Sequence, residues 1–332
     1  MTNMFKTAII GLGHPHIFSM IEELLAERDD FKICAICDPD TPENVEKAHE
    51  MVPDAKVCQS QDELYGAEEF DTVMSSAING RKGEIALRAL RSGKSIMFDK
   101  PLVTTKHELF AIEKALAENP RLRIALWLTC RYAPAYYTAK KLIDAGEIGK
   151  VTHLYFVRPH RLAPEKRPGW MFEPEMYGGI INDIGVHDLD LARWYTGSEY
   201  SEILAATASN NRFQNYNIED NGCVFVKMGS GAEVMVNENW LTPDAFPAHG
   251  DTRALITGTK GFIEVLVYPE DTLKLVTDSR PPEIVELMSY EHSSVKDFVL
   301  ALKSGSHKPL VSTYDAIMAT KFALEAQAIA NK

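Results

Sequence analysis

Three residues on one predicted helix offer acid–base chemistry: Asp183 and His187 lie four apart and Asp190 three beyond, so all three can share a face. A carboxylate beside an imidazole orients the ring and raises its basicity, which suits a general base. The competing account of this segment is a helix-capping Asp and a structural His. Elsewhere, the run Ser95-Ile-Met-Phe-Asp99-Lys100-Pro101 sets a lysine where a strand should end, at the carboxyl edge where open α/β sheets bind ligands. An ammonium there can hold a substrate oxygen and stabilise its proton as hydride leaves carbon.

A second set of residues points to a dinucleotide. Gly11-Leu12-Gly13-His14 follows the apolar run Lys6 to Ile10 and precedes helical spacing of Ile17, Met20, Ile21, Leu24 and Leu25. A G-x-G turn between strand and helix brings backbone and a helix N-terminus close to a pyrophosphate. The third fingerprint position, usually Gly or Ala, is His16. Asp38 stands 22 positions after His16 at the end of the next strand, where a carboxylate accepts from a ribose 2′-hydroxyl. It would repel a 2′-phosphate and no Arg follows it in Pro39-Asp40-Thr41, so NAD is favoured over NADP. The alternative is a plain tight turn, with Asp38 capping the turn at Pro39.

Asp, His and Asp at helical spacing, with His14 and His16 elsewhere, could also ligate zinc or manganese, but no compact signature such as HExxH is present and no metal is expected. Cys34 and Cys37 form a CxxC inside a strand, where residues three apart face opposite ways. With five cysteines in all, an odd number, these read as buried or idle thiols rather than a disulfide framework.

The elements that must position these residues come in two textures. Up to about residue 128, short apolar strands alternate with helices: Phe31 to Cys37, Pro42 to Met51 behind Thr41 as N-cap, Thr72 to Ala77, Gly83 to Ser92, His107 to Asn119, Ile124 to Thr129. This alternation predicts a parallel sheet covered on both faces. From 129 to 332, strand-like runs follow one another from Thr152 to Val276, predicting a mostly antiparallel sheet, with amphipathic helices at Val295 to Lys303 and Tyr314 to Asn331. A chain of 332 residues supports two such domains. Its net charge of −12 argues against a nucleic acid partner, which needs a basic face. Absence of a long apolar run argues against a membrane partner. Met1 to Phe18 is a poor signal peptide, its apolar run broken by Gly11, Gly13 and Pro15, so the expected location is the cytoplasm.

Together these residues resemble the Gfo/Idh/MocA family of glucose-fructose oxidoreductase and inositol dehydrogenase. The likeness covers nearly the whole chain: the G-x-G turn, Asp99-Lys100-Pro101 at the family's Glu-Lys-Pro, Arg131-Tyr-Ala-Pro134 with Ala145-Gly-Glu-Ile-Gly149, and Gly178-Gly leading to Asp183-x-Gly-x-His187-x-x-Asp190. The resemblance implies a Rossmann domain (1–128) and an α/β domain (129–332) whose open sheet makes dimer or tetramer contacts. It implies hydride transfer between a nicotinamide and a hydroxyl-bearing carbon of a sugar or cyclic polyol. In that reaction Lys100 touches cofactor and substrate, His187 is the acid/base, and Asp183 is its partner on the substrate. Gly11, Leu12, Gly13, His14, Asp38, Ala77, Asn79, Asp99 and Lys100 then contact cofactor. The chain departs from the family's Thr-Pro-Asn-x-x-His, reading Ala77-Ile-Asn79-Gly-Arg-Lys82.

The loop from Arg158 to Trp170 carries Arg158, His160, Arg161, Lys166 and Arg167 against Glu165, an excess that could read an acidic sugar or simply face solvent. Arg158 and His160 join Lys100, Asp183 and His187 as candidate substrate contacts. Two other functions fit the same motifs: a glycoside hydrolase or lyase that retains NAD and oxidises transiently, and a non-catalytic NAD or sugar sensor.

Overall fold

A computed structural model describes residues 4–332. The first three residues, where the Met1 to Phe18 stretch begins, lie outside the described part. The chain divides into two compact units: Met1–Trp127 with His292–Ile317, and Leu128–Glu291 with Met318–Lys332.

The first unit runs β1 (Phe5–Ile10), α1 (His16–Ala26), β2 (Phe31–Cys37), α2 (Pro42–Met51), β3 (Lys56–Val57), α3 (Gln61–Ala67), β4 (Thr72–Ser75), α4 (Lys82–Arg91), β5 (Ser95–Phe98), α5 (Lys106–Glu118) and β6 (Ile124–Leu126). Its six strands order as β3-β2-β1-β4-β5-β6, and every pairing is parallel. The expected doubly wound sheet is therefore present. Strand order reverses between β1 and β4, and the carboxyl ends of such a pair open a ligand crevice. Central strands read as unbroken apolar runs because helices cover both faces: β4 and β5 are buried at all positions. Helix starts are fixed by side-chain caps at Ser60 and at Thr105, which forms a capping box with Glu108.

The second unit contains α6 (Pro134–Asp144), β7 (Val151–Pro159), α7 (Pro174–Tyr177), α8 (Val186–Thr196), β8 (Tyr200–Ser209), β9 (Asn221–Met228), β10 (Glu233–Asn239), β11 (Arg253–Gly258), β12 (Gly261–Leu266), β13 (Thr272–Thr277) and β14 (Arg280–Ile284). These strands make one sheet of order β14-β13-β12-β11-β7-β10-β9-β8, antiparallel throughout except for β7 with β10. The mostly antiparallel sheet expected from the sequence is borne out. Strand β14 escapes sequence reading because Pro281 and Pro282 argue against a strand, and it survives because it is an edge.

Helix α9 (Ser294–Lys303) returns to the first unit, where Val295, Phe298 and Val299 pack with Ile17, Met20 and Phe31. Lys296 donates to Glu27 and Asp30, and Lys303 to Asp30. A division at 128/129 takes no account of this return. The last helix, α10 (Thr313–Ala330), closes the chain. Among the described residues no helix is long and apolar enough to cross a membrane.

Candidate active site

In the first unit the chemistry gathers at the carboxyl ends of β1, β4 and β5. The turn after β1 is stitched to the segment after β4: Ser76 N–H donates to Gly11 O (3.1 Å) and His14 N–H to Ser76 O (2.8 Å). Gly11 has φ +80°, and a Cβ there would sit 2.4 Å from the Ala77 Cβ. A Cβ on Gly13 would meet the Ile78 nitrogen at 2.8 Å. Both glycines are thus demanded by close backbone approach, and Ala77 is small for the same reason.

Asp38 holds that turn from the other side. Its carboxylate accepts from Leu12 N–H (2.6 Å), Asp40 N–H (3.0 Å) and the Thr41 hydroxyl (2.7 Å). Thr41 is the N-cap residue of α2 as expected, but its hydroxyl goes to Asp38 and not to the helix. A carboxylate accepts about four hydrogen bonds, so room remains for a ribose hydroxyl. Asp38, Gly11, Ala77, Ile78, Gln61 and Arg81 line a cleft of about 260 Å³. This glycine cradle with an acidic wall fits an adenine nucleotide. Arg81 had not been singled out; it reaches the cleft from after β4, where a scan of residues following Asp38 does not look.

Asp99 and Lys100 follow β5. Asp99 is 1% exposed, and its carboxylate lies 3.1 Å from His16 Nδ1 and 3.6 Å from His14 Nδ1 and accepts from Ser76 Oγ at 3.0 Å. Burial alone would raise its pKa; His16, Lys82 and His14 outweigh burial and hold it well below the usual carboxylate range. His16, which breaks the glycine fingerprint, is therefore tied into the site. The ligand atoms of His14, His16 and Asp99 fall within 4.8 Å of one another. A cation there would face the Lys82 ammonium, 4.0 Å from Asp99, and the positive end of α1, both of which oppose it.

Lys82 is a second residue the sequence reading passed over, noted only as a departure. It is fully buried and donates to the carbonyls of Asp99 (3.0 Å) and Lys100 (2.9 Å). Burying an ammonium is tolerable only with such partners. It fixes the backbone from which Lys100, itself 9% exposed, projects. Asn79, also buried, opens the single turn Asn79–Arg81 leading into α4.

In the second unit Asp183 lies in a π-helical turn, Ile181–Gly185, which runs into α8, where His187 is half-buried. Tyr177, at the end of α7, is hydrogen-bonded to Asp183 and accepts from Trp240 Nε1 at 3.0 Å. Burial, then the Asp183 carboxylate, push the Tyr177 pKa well up, so it remains a phenol able to donate. Arg167 lies 4.9 Å over the Trp240 ring, and its charge acts on Asp183. Neither Tyr177 nor Trp240 had a sequence signal linking it to Asp183.

Two charged residues of this unit have partners that sequence spacing does not reveal. Arg131 holds Asp190 through two hydrogen bonds of 2.7 and 2.6 Å, with Arg193 at 3.3 Å. Arg158 already has a carboxylate partner within this unit. It is 7% exposed and bonded twice to Asp188, at 2.9 and 2.5 Å, a pairing across 30 residues that spacing does not reveal. His160 stacks edge-on against Trp240 and His249, with ring centroids 5.6 and 4.5 Å away. The loop is not simply solvated, since Arg161 and Arg167 both donate to carbonyls. Cys34 and Cys37 are free thiols whose pKa values burial pushes up to about 11 and about 12.

Comparison with known proteins places this geometry. The oxidoreductase family described as having an NAD-binding Rossmann fold matches residues 5–125, and the GFO/IDH/MocA C-terminal domain matches residues 136–264. The scyllo-inositol 2-dehydrogenase (NAD(+)) of Bacillus subtilis is 26% identical over 95% of this chain and 91% of its own length. The 1,5-anhydro-D-fructose reductase of Ensifer adhaerens is 30% identical over 60% of this chain and 61% of its own. A solved structure from Erwinia carotovora atroseptica superposes with a TM-score of 0.89 at 26% identity, covering 99% of each chain.

Proposed function

This chain belongs to the GFO/IDH/MocA oxidoreductase family, an NAD-binding enzyme family, and from that premise we propose that it oxidises or reduces one hydroxyl-bearing carbon of a cyclic polyol or sugar. The observation that carries the substrate class is the full-length likeness to an inositol dehydrogenase together with Asp183 and His187 in the family's D-x-G-x-H run. What NAD supplies when bound is a hydride acceptor or donor.

The residues divide the remaining work. Gly11, Leu12, Gly13 and His14 receive the cofactor's phosphates, Asp38 its ribose, and Ala77, Asn79 and Asp99 wall the nicotinamide side. Lys100, its backbone braced by Lys82, holds the substrate oxygen. His187 takes the hydroxyl proton during oxidation and returns it during reduction. Asp183, kept in place by Tyr177, binds a neighbouring hydroxyl of the substrate. His160 contributes to the substrate wall. A panel of inositols, anhydrohexitols and aldoses, with NAD and NADP, followed by absorbance of the reduced cofactor, tests this reading. Turnover on a polyol with wild type and a loss of about 10²-fold or more with Lys100→Ala is expected. No reduced cofactor from any hydroxyl compound would remove it.

We place the enzyme in the cytoplasm, in keeping with five free cysteines among the described residues. We also assign it a dimer or tetramer built through the second unit's sheet. Leu255, Tyr155, Met235, Phe225 and Ala205 form one cross-strand row, and its Leu255, Tyr155 and Met235 are 40–47% exposed. Light scattering should read at least twice the chain mass; a monomer would refute the assembly.

A further inference from the structure

Strand β10 alternates inward and outward, and its inward positions are Val234, Val236 and Glu238. The first two are apolar. The third is a carboxyl group that is 0% exposed. Apart from a contact with its own backbone amide, neither oxygen has a hydrogen-bond partner among the described residues. Leaving such a group unpaired in the interior costs about 1–3 kcal/mol, and a leucine or methionine would suit the strand pattern without that cost.

Its surroundings are cut to fit it. Glu238 is opposite Gly222 on β9 and opposite Arg158 on β7. A Cβ on Gly222 would lie 2.9 Å from Glu238 Oε1, and a Cβ on Gly185 would lie 2.8 Å from the same atom. Gly185 is the middle residue between Asp183 and His187, at the end of the π-helical turn. The carboxyl group therefore occupies the space that two glycines leave, one of them inside the catalytic run.

The charges facing it are Arg158 from β7, Asp188 from α8 and Glu219 from the segment before β9. Arg158 is already bonded twice to Asp188 and is not available as a counter-ion. Burial, then Asp188, push the Glu238 pKa up to about 8, with Glu219 adding to the rise and its own amide and Arg158 opposing it.

We propose that Glu238, wedged against Gly185, is a positioning residue that holds the turn between Asp183 and His187 in working geometry. Ionisation would set a second carboxylate against Asp188 in competition for Arg158, and the turn resting on Glu238 would loosen. The inference rests on the catalytic assignment of Asp183 and His187, so one of its tests is independent of turnover.

Glu238→Gln keeps the shape and cannot ionise. Amide hydrogen exchange of the full-length protein, read on peptides spanning 179–190 and corrected for intrinsic rates, should show wild-type protection falling between pH 7 and pH 9 while Glu238→Gln stays constant. Equal pH dependence in both proteins overturns the proposal. On a polyol substrate, the ratio of kcat in Glu238→Gln to kcat in wild type should be near one at pH 7 and rise about tenfold by pH 9, where about a tenth of a group of pKa 8 remains protonated. A ratio independent of pH also overturns it. If no polyol is turned over, the exchange result still decides the role of Glu238, and only the functional reading fails.

Discussion

Asp99 in the first unit and Glu238 in the second are both carboxyl groups sealed from water, at 1% and 0% exposure, and their surroundings drive them to opposite charge states. Asp99 meets His16, His14, Ser76 and Lys82, which more than repay its desolvation, and it stays ionised. Glu238 meets a carboxylate and an arginine already committed elsewhere, and it stays neutral. Burial pushes both pKa values up; around Asp99 the charged neighbours reverse that push, and around Glu238 none is free to do so. The first carboxyl group sits in a cluster of fixed charges; the second abuts the turn before α8 without adding one.

The contrast breaks most visibly at Asp99. Removing one partner from a buried ionic cluster leaves the other uncompensated, so Asp99→Ala should lower stability by about 3–5 kcal/mol in denaturant unfolding. The pH dependence of the two carboxyls has opposite sign. The folded pKa of Asp99 lies below its ordinary 3.8, so its stabilisation is present above that value and is lost as pH falls through the folded pKa. The folded pKa of Glu238 is about 8 against an ordinary 4.5, so its contribution is complete below about 4.5 and is lost as pH rises toward about 8. Midpoints measured across pH 3–9 should therefore lose their acid-side slope at least in part with Asp99→Ala and their slope between pH 5 and 8 with Glu238→Gln. A slope between pH 5 and 8 that survives Glu238→Gln would erase the distinction.

The same contrast separates what the sequence makes readable from what it hides. The parallel sheet and its glycine turn follow from local order: strand, G-x-G turn and helix are contiguous, Asp38 ends the next strand, and alternation of strand and helix leaves few topologies open. Long-range pairing leaves no such trace. The cations around Arg158 resemble a substrate reader until Asp188, 30 residues on, is seen to take the guanidinium. Spacings of four and three among Asp183, His187 and Asp190 suggest one face, and say nothing of the π-helical turn before α8 or of Arg131 as the partner of Asp190. Helix α9 carries an apolar stripe that says it packs, without saying against which sheet. Glu238 was visible in principle, as a lone acid on the apolar parity of an alternating strand.

The smallest effect concerns cofactor choice, where Asp38 and Arg81 line one cleft with opposite charge. Asp38 already spends most of its acceptor capacity on Leu12, Asp40 and Thr41, so its hold on a ribose hydroxyl is modest, while its charge opposes a 2′-phosphate. Arg81 would attract that phosphate if the opposing charge were gone. Asp38→Asn keeps one oxygen for the Leu12 amide and removes the charge. The ratio of kcat/KM for NADP to that for NAD should then rise about tenfold, close to 1.4 kcal/mol. Since the turn survives, melting should change by no more than about 1–2 kcal/mol, the cost of weakening these hydrogen bonds. An unchanged ratio with a large loss of stability would show that Asp38 is only a brace for the glycine turn, and that the choice of NAD is made by other atoms of the cleft.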